Sequence, residues 1–346
     1  MRKELSLGKA ILRCYQKGRF MTMMLSQNES TLPWIYYNNM QICCHKLNEK
    51  GQTFVLDICN SVAPFVTKEW DACPYIRDNS YSIERIREKY SSISQYIVEC
   101  IVHNEYVHCC LNVSYITWYD KKRYPKNSMH DIFIFGYDDE KEEFMGYDYF
   151  SDDYERKSIP FCEMENAILH IVECEGTGDY ANGIHSFLLQ EPYVFFLFSA
   201  DDLNINHILQ KMYEILYIQY SEVNNMVSKS KEGTEINIFG LAVYDELCDY
   251  LSSNIEVYGR FDYRPFSVIQ DHMQIICDAI KYFGIPFISE SESLLQLAIE
   301  MAHVGIKESI RHKRENIIYL CQRVIELKDE ENALLMNILK YYQYRI

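Results

Sequence analysis

No run of apolar residues in this chain reaches the roughly 18 that a membrane span requires, so a spanning helix is not expected. The sequence has no Cys-x-x-Cys and no His/Cys cluster at zinc spacing, which predicts no bound metal. Glycine-rich phosphate loops are missing too: Gly176 and Gly178 stand alone, without the strand-then-helix context a phosphate cradle needs. Without a Walker or adenylating motif, no ATP-driven activation step is expected. Cations are in deficit, with 34 Lys and Arg against 50 Asp and Glu and a net charge of −16. Binding a nucleic-acid backbone needs a concentrated cationic face, so that class is excluded as a partner. The opening residues Met1 to Ser6 lack the basic-then-apolar layout of a signal peptide, which predicts a cytoplasmic protein. No internal repeat or low-complexity tract is visible.

What the chain does have is 346 residues, 48% of them hydrophobic and 24% charged, the balance of a globular protein with one large or two modest cores. Its 13 cysteines are scattered, with vicinal pairs at Cys43, Cys44 and at Cys109, Cys110. In a cytosolic chain all should be reduced. His103 and His108 flank Glu105 on a strand-like stretch, a poor metal motif.

The stretch with the most chemistry in it is Met129 to Phe150. Ile132, Phe133, Ile134 and Phe135 form an apolar, β-branched and aromatic run, Gly136 to Glu143 supplies a polar turn, and Phe144 to Tyr147 resume an apolar run before Asp148. The pattern predicts a β-hairpin that starts with His130 and ends with Asp148. In an antiparallel pair those ends lie side by side, where a carboxylate can fix the imidazole tautomer and raise its basicity. Such a pair is two-thirds of a nucleophilic triad.

The segment resembles the His-Asp hairpin of papain-like cysteine peptidases of the bacteriocin-processing type. It is more similar still to the butirosin biosynthesis protein H family, where a His, a Gly-Tyr-Asp turn and an Asp recur in this order. The resemblance covers most of the chain. Pro33, Trp34, Ile35 and Tyr36 match a segment that follows the nucleophile helix in that family, and Phe239 to Tyr244 and Asp262 to Phe266 have counterparts there. It implies an α+β papain-like fold over residues 1–200 and a helical C-terminal domain over 201–346. It also implies a nucleophilic cysteine at the N-terminus of the first long helix, where the helix dipole and backbone N–H groups favour thiolate.

On that register the nucleophile is Cys14, which opens a helically patterned stretch through Phe20, Met23 and Met24; Cys43 and Cys44 are the alternatives. One departure stands out. The family's upstream Gln, which donates to the oxyanion, has no counterpart, because Met1 to Arg13 holds neither Gln nor Asn. The Cys14 backbone N–H and, more weakly, Gln16 are the donors left.

Between helix and hairpin, Ser82 to Cys100 reads as one amphipathic helix with Ile83, Ile86, Tyr90, Ile93, Ile97 and Ile101 on its apolar face, and Tyr106 to Ile116 reads as a strand. The loop from Trp118 to Pro125 arrives just before His130, so Tyr119, Asp120 and Tyr124 are expected to face substrate. Lys121, Lys122, Arg123 and Lys126 form a basic cluster on the same loop, and Arg311 to Arg314 form another. After Asp148 a polar turn reaches Lys157, a short strand covers Ile159 to Phe161, and a strand is expected at Tyr193 to Phe198. Helices are expected over Ile205 to Val223, Gly240 to Leu251, Phe266 to Tyr282, Ser289 to Ile310 and Glu315 to Tyr342, punctuated at Lys229 to Thr234.

A Cys-His-Asp triad forms an acyl-thioester, and the acceptor decides the activity. The resemblance implies an acyltransferase of thiotemplated antibiotic biosynthesis. It would take an acyl group from the phosphopantetheine thioester of an acyl carrier protein and pass it to a small amine, with no cofactor of its own. Cys14 would attack, His130 move the proton and Asp148 orient His130, while the Lys121–Lys126 cluster docks the acidic carrier. A peptidase or thioesterase, and a catalytically idle papain-like binding protein, are the other readings the residues leave open.

Overall fold

The apolar runs around His130 form the centre of an antiparallel sheet. In a computed structural model of the chain, residues 1–46, 54–59, 73–151, 153–174, 183–190, 203–217, 236–256, 261–311 and 313–344 are described. They form a mixed α and β protein with antiparallel pairing throughout. By contacts the chain divides into two units.

The first unit holds Met1–Ala10, Phe20–Gln27 and Lys68–Phe195. Its sheet runs in the order β4 (Ile76–Ser82), β9 (Gly183–Leu189), β5 (Glu105–Asn112), β6 (Met129–Asp138), β7 (Glu143–Tyr149) and β8 (Tyr154–Pro160). β6 is long enough to take two partners on one edge. Its first half pairs with β5, and its second half pairs with β1 (Arg2–Glu4), Lys3 opposite Tyr137. The switch falls at a bulge between Ile134 and Gly136. A Cβ at Gly136 would meet Met145 Sδ at 2.7 Å and the Lys3 carbonyl at 2.9 Å, so only glycine admits both neighbours. The turn expected from Gly136 is therefore shorter than its polar residues suggest, because β6 continues to Asp138 before reversing.

Helices α3 (Ile83–Lys89), α4 (Ile93–Val102) and α5 (Phe161–Leu169) complete this unit, with the last two turns of α1 (Gln16–Leu25). The single helix expected over Ser82 to Cys100 is broken in two. Ser82 caps α3 by accepting from the Arg85 N–H, and Ser92 caps α4 by accepting from the Gln95 N–H. Glu165 of α5 adds a carboxylate at the head of α4, accepting from the N–H groups of Ile93 and Ser94 and from the Ser94 hydroxyl. Three capping bonds and the favourable end of the helix dipole outweigh the periodicity that ran through Tyr90. The strand expected to reach Ile116 stops at Asn112, whose side chain accepts from the Ser114 N–H and starts a short 3-10 turn, and β8 is longer than the strand expected at Ile159.

The second unit holds Ile11–Arg19, Asn28–Thr67 and Phe196–Ile346. Two early segments thus group with the C-terminal helices rather than with the N-terminal residues around them. A three-stranded sheet, β10 (Ile236–Phe239), β2 (Gln41–Lys46) and β3 (Phe54–Cys59), lies with α2 (Leu32–Asn39), α6 (Ile205–Tyr217), α7 (Ala242–Glu256), α8 (Arg264–Tyr282), α9 (Ile288–Arg311) and α10 (Arg314–Tyr341). The helical periodicity of the C-terminal half thus yields helices close to the expected bounds. Gly240 adopts φ 59° ahead of α7, and a side chain there would collide with the Ile215 carbonyl. The polar centre of this unit is His272 on α8, fully buried. Its Nδ1 lies 2.7 Å from the Met40 carbonyl and its Nε2 2.9 Å from Glu331 Oε1 on α10, while the Tyr244 hydroxyl donates to Glu331 Oε2 at 2.6 Å.

The strand expected at Tyr193 to Phe198, the tract at Lys229 to Thr234 and His312 of the second basic cluster lie outside the described residues. Among the described residues no helix is long and apolar enough to cross a membrane, and no group of three or more His, Cys, Asp or Glu is arranged to hold a metal ion.

Candidate functional site

The β6–β7 hairpin brings His130 and Asp148 together. Phe133 pairs with Tyr147, so the pleat places His130 and Asp148 on the same, opposite face. His130 Nδ1 lies 2.9 Å from Asp148 Oδ2. Asp148 is fully buried, and its other oxygen accepts from the Tyr149 N–H at 2.7 Å. Because the carboxylate takes the Nδ1 proton, Nε2 is left as the acceptor of the neutral ring. Burial pulls the imidazole down, but the hydrogen bond to Asp148, its charge and that of Asp131 outweigh this and hold His130 above its ordinary value. The His130 side chain keeps 23% of its surface open. A buried carboxylate that orients a partly exposed imidazole is the arrangement general-base chemistry requires.

The loop before His130 holds this pair. Thr117 is tied to Glu163 by its N–H at 2.8 Å and its hydroxyl at 2.6 Å, the Trp118 indole donates to the Ser158 carbonyl at 2.6 Å, and the Asp120 N–H donates to the Phe150 carbonyl at 3.0 Å. Tyr119, expected to face substrate, is 3% exposed and donates its hydroxyl to Asp148 Oδ2. Asp120, given the same role, accepts from the Lys122 N–H at 2.9 Å and shapes a turn. Tyr124 is half-buried: its hydroxyl donates to the Tyr149 carbonyl at 2.6 Å and sits 3.4 Å from His130 Nε2, so of the three it is the one placed at the imidazole's second nitrogen. Burial, then Asp148, push the Tyr124 phenol up to about 12, so it stays protonated at neutral pH.

Lys121, Lys122, Arg123 and Lys126 are all exposed on the outside of this loop. Arg123 is held, its guanidinium 4.1 Å above the Tyr149 ring and donating to the Ser151 carbonyl.

The opposite face of the sheet carries His108, Phe133 and Tyr147, and there Phe20 of α1 packs, stacked on Phe133 at 4.7 Å and 6.0 Å from His108. That face holds a second His-carboxylate pair, His108 Nε2 to Asp131 Oδ2 at 3.4 Å, with the Cys110 thiol 3.6 Å from Asp131 Oδ1. Sequence reading passed over it because Asp131 adjoins His130 in the chain while the pleat sends the two side chains apart.

Cys14 belongs to the second unit, two residues ahead of α1. The N–H groups of Arg13 and Cys14 both donate to Asp271 Oδ2 of α8, at 2.7 and 2.8 Å. The donor expected to serve an oxyanion is thus committed to a buried carboxylate. Gln16, the other donor considered, is the first residue of α1. The Cys14 thiol lies 3.6 Å from the Arg264 carbonyl, and burial first, then Asp271 and Asp57, push it well above its ordinary value, with Arg264 acting the other way. A thiol so placed is protonated at neutral pH.

Both alternatives are buried: Cys43 is in a disulfide, contrary to the expectation that every cysteine is reduced, and Cys44 is fully buried in strand β2. Asp271 was missed although a signal existed. α8 buries Phe266, Val268, Ile269, Met273 and Ile276, and a carboxylate among core positions of such a helix marks a partner to be found.

No known protein family matches this chain, and no curated protein matches it.

Proposed function

We propose that the protein is a cysteine-dependent acyltransferase of papain-like architecture, working in the cytoplasm as the butirosin protein H-like chains it resembles are understood to do. The observation that carries the reading is the His130–Asp148 dyad, a fully buried carboxylate 2.9 Å from Nδ1 of an imidazole that keeps 23% of its surface open. In the first step a nucleophilic thiol, which the sequence assigns to Cys14, bonds to the acyl carbon of a carrier-protein phosphopantetheine thioester, and the carrier leaves as its thiol with the proton the nucleophile gives up. In the second an amine attacks the acyl-Cys14 carbon, the amide departs, and the proton returns to sulfur. Exchange between two sulfurs is close to thermoneutral, so neither step needs a nucleotide. Because the Cys14 thiol is held protonated, its deprotonation belongs to the attack itself, and the role proposed for the His130–Asp148 pair is that of general base. The exposed Lys121, Lys122, Arg123 and Lys126 suit an acidic carrier on a chain of net charge −16.

The state of Cys14 favours a second reading, a papain-like protein that binds a carrier or peptide without reacting. Intact mass spectrometry after mixing with acyl-loaded carrier separates the two. The enzyme reading expects a mass gain equal to the acyl group, absent in Cys14→Ala, slowed in His130→Asn and cleared by added amine. Clearance by water alone identifies a hydrolase. A chain that holds the carrier and never gains mass sinks the acyltransferase. In the transfer assay, Lys121→Glu with Lys122→Glu should raise KM for the carrier more than it lowers kcat, and unchanged saturation removes the docking assignment.

A further inference from the structure

The Asp148 carboxylate accepts three donors, the Tyr149 N–H on Oδ1 and both the His130 Nδ1–H and the Tyr119 hydroxyl on Oδ2. Two donors on one buried oxygen compete for the same charge. Tyr119 is placed to compete by four anchors: Thr117 on Glu163, Trp118 on Ser158, the Asp120 N–H on the Phe150 carbonyl, and its own ring set against Phe150, Tyr124 and His130 at centroid distances of 5.0, 5.1 and 5.8 Å. So many fixings around a phenol without access to solvent indicate that its hydroxyl, rather than a surface contact, is what the loop delivers.

We infer that Tyr119 is a positioning residue for His130: its hydroxyl, committed to Asp148 Oδ2, sets how strongly that carboxylate draws the imidazole proton. The inference rests on the reading of the dyad as the working base. A hydrogen bond to a carboxylate stabilises the anion and withdraws charge from its other partners. With Tyr119 in place the His130 imidazolium is less favoured than Asp148 alone would make it, and Nε2 is free to accept a proton over more of the neutral range. The phenol keeps its own proton, since burial and the adjoining carboxylate hold it far above its ordinary value. Other titratable or charged groups that face the pair are Asp131 on the strand of His130, Cys109 of β5 near Tyr119, Tyr124 at Nε2 and Arg123 over Tyr149.

The test is histidine-labelled NMR titration of the whole protein, with the His130 signal identified by its loss in His130→Asn. Tyr119→Phe keeps the ring and removes the competing donor, so the His130 midpoint should move up by about one unit. In an Asp148→Asn background the same substitution should leave the midpoint where it stands, because the hydroxyl then has no carboxylate to act through. A midpoint in Tyr119→Phe equal to wild type, or an equal shift in both backgrounds, overturns the inference and leaves Tyr119 a packing residue. The titration needs no substrate. A shifted midpoint together with failed acyl transfer would refute the proposed function and leave the role of Tyr119 standing, whereas transfer by a protein whose His130 ignores Tyr119→Phe would do the reverse.

Discussion

Removing Glu331 should cost the C-terminal helices more than any surface change can. Its two oxygens serve different partners, Oε1 at 2.9 Å from His272 Nε2 and Oε2 accepting from Tyr244, and all three side chains are within 1% of full burial. The Met40 carbonyl can only accept, so His272 Nδ1 must carry a proton, and Nε2 is a donor to the carboxylate when the ring is charged and an acceptor when it is neutral. Glu331→Ala leaves the Tyr244 hydroxyl and His272 Nε2 buried without a partner. Each such orphan costs about 1–3 kcal/mol, and breaking a buried charged pair about 3–5 kcal/mol, so a loss of about 4 kcal/mol is expected. Glu331→Gln is the informative control. Its amide N–H₂ can donate to a neutral Nε2 and its carbonyl can accept from Tyr244, so every group keeps a partner and the loss should stay near 1 kcal/mol. Urea unfolding at neutral pH, followed by circular dichroism, gives both numbers from the midpoint and slope. Equal losses for the two variants, or a loss below about 1 kcal/mol for Glu331→Ala, would refute the network as a tie between α7, α8 and α10.

Two further outcomes follow from the second unit. Burial pushes Asp57 and Asp271 up to about 6 each, above the ordinary carboxyl value. A carboxyl raised on folding contributes stability that is full below about pH 4 and lost as the pH rises through about 6, about 3 kcal/mol each at most. Wild type should therefore lose stability relative to Asp57→Asn between those pH values, and a difference constant with pH would contradict it. Iodoacetamide mapped by mass spectrometry should mark the exposed Cys162 well before Cys14 at neutral pH. Asp271→Asn keeps an acceptor for the two N–H groups but removes a charge, so it should speed alkylation of Cys14, about tenfold for each unit the thiol comes down; an unchanged rate would show that Asp271 acts on the backbone alone.

Local pattern determined a good deal by itself. The hairpin from His130 to Asp148 was legible because strand alternation and a polar turn are encoded in consecutive residues, and it sufficed to place an imidazole beside a carboxylate. Helices α7 to α10 were legible from 3.6-residue periodicity, with ends within a few residues of those expected, as was the start of α6 at Ile205, whose expected end at Val223 lies outside the described residues. Short apolar runs were not. The stretch holding Cys43 and Cys44 has helical neighbours in sequence and becomes a strand because β3 on one side and β10, far away in the chain, on the other both pair with it.

Tertiary structure alone decided the environments. Tyr119 reads as a loop aromatic, and only the anchors from β8, α5 and Phe150 turn its hydroxyl inward onto Asp148. Asp271 lies 257 residues from Cys14, yet it takes the N–H on which the oxyanion argument depended and helps keep the thiol protonated. Residue type and spacing are properties of the chain, and they establish which chemistry is possible. The charge state of a sulfur or an imidazole depends on burial and on neighbours brought in from anywhere, and only folding supplies those.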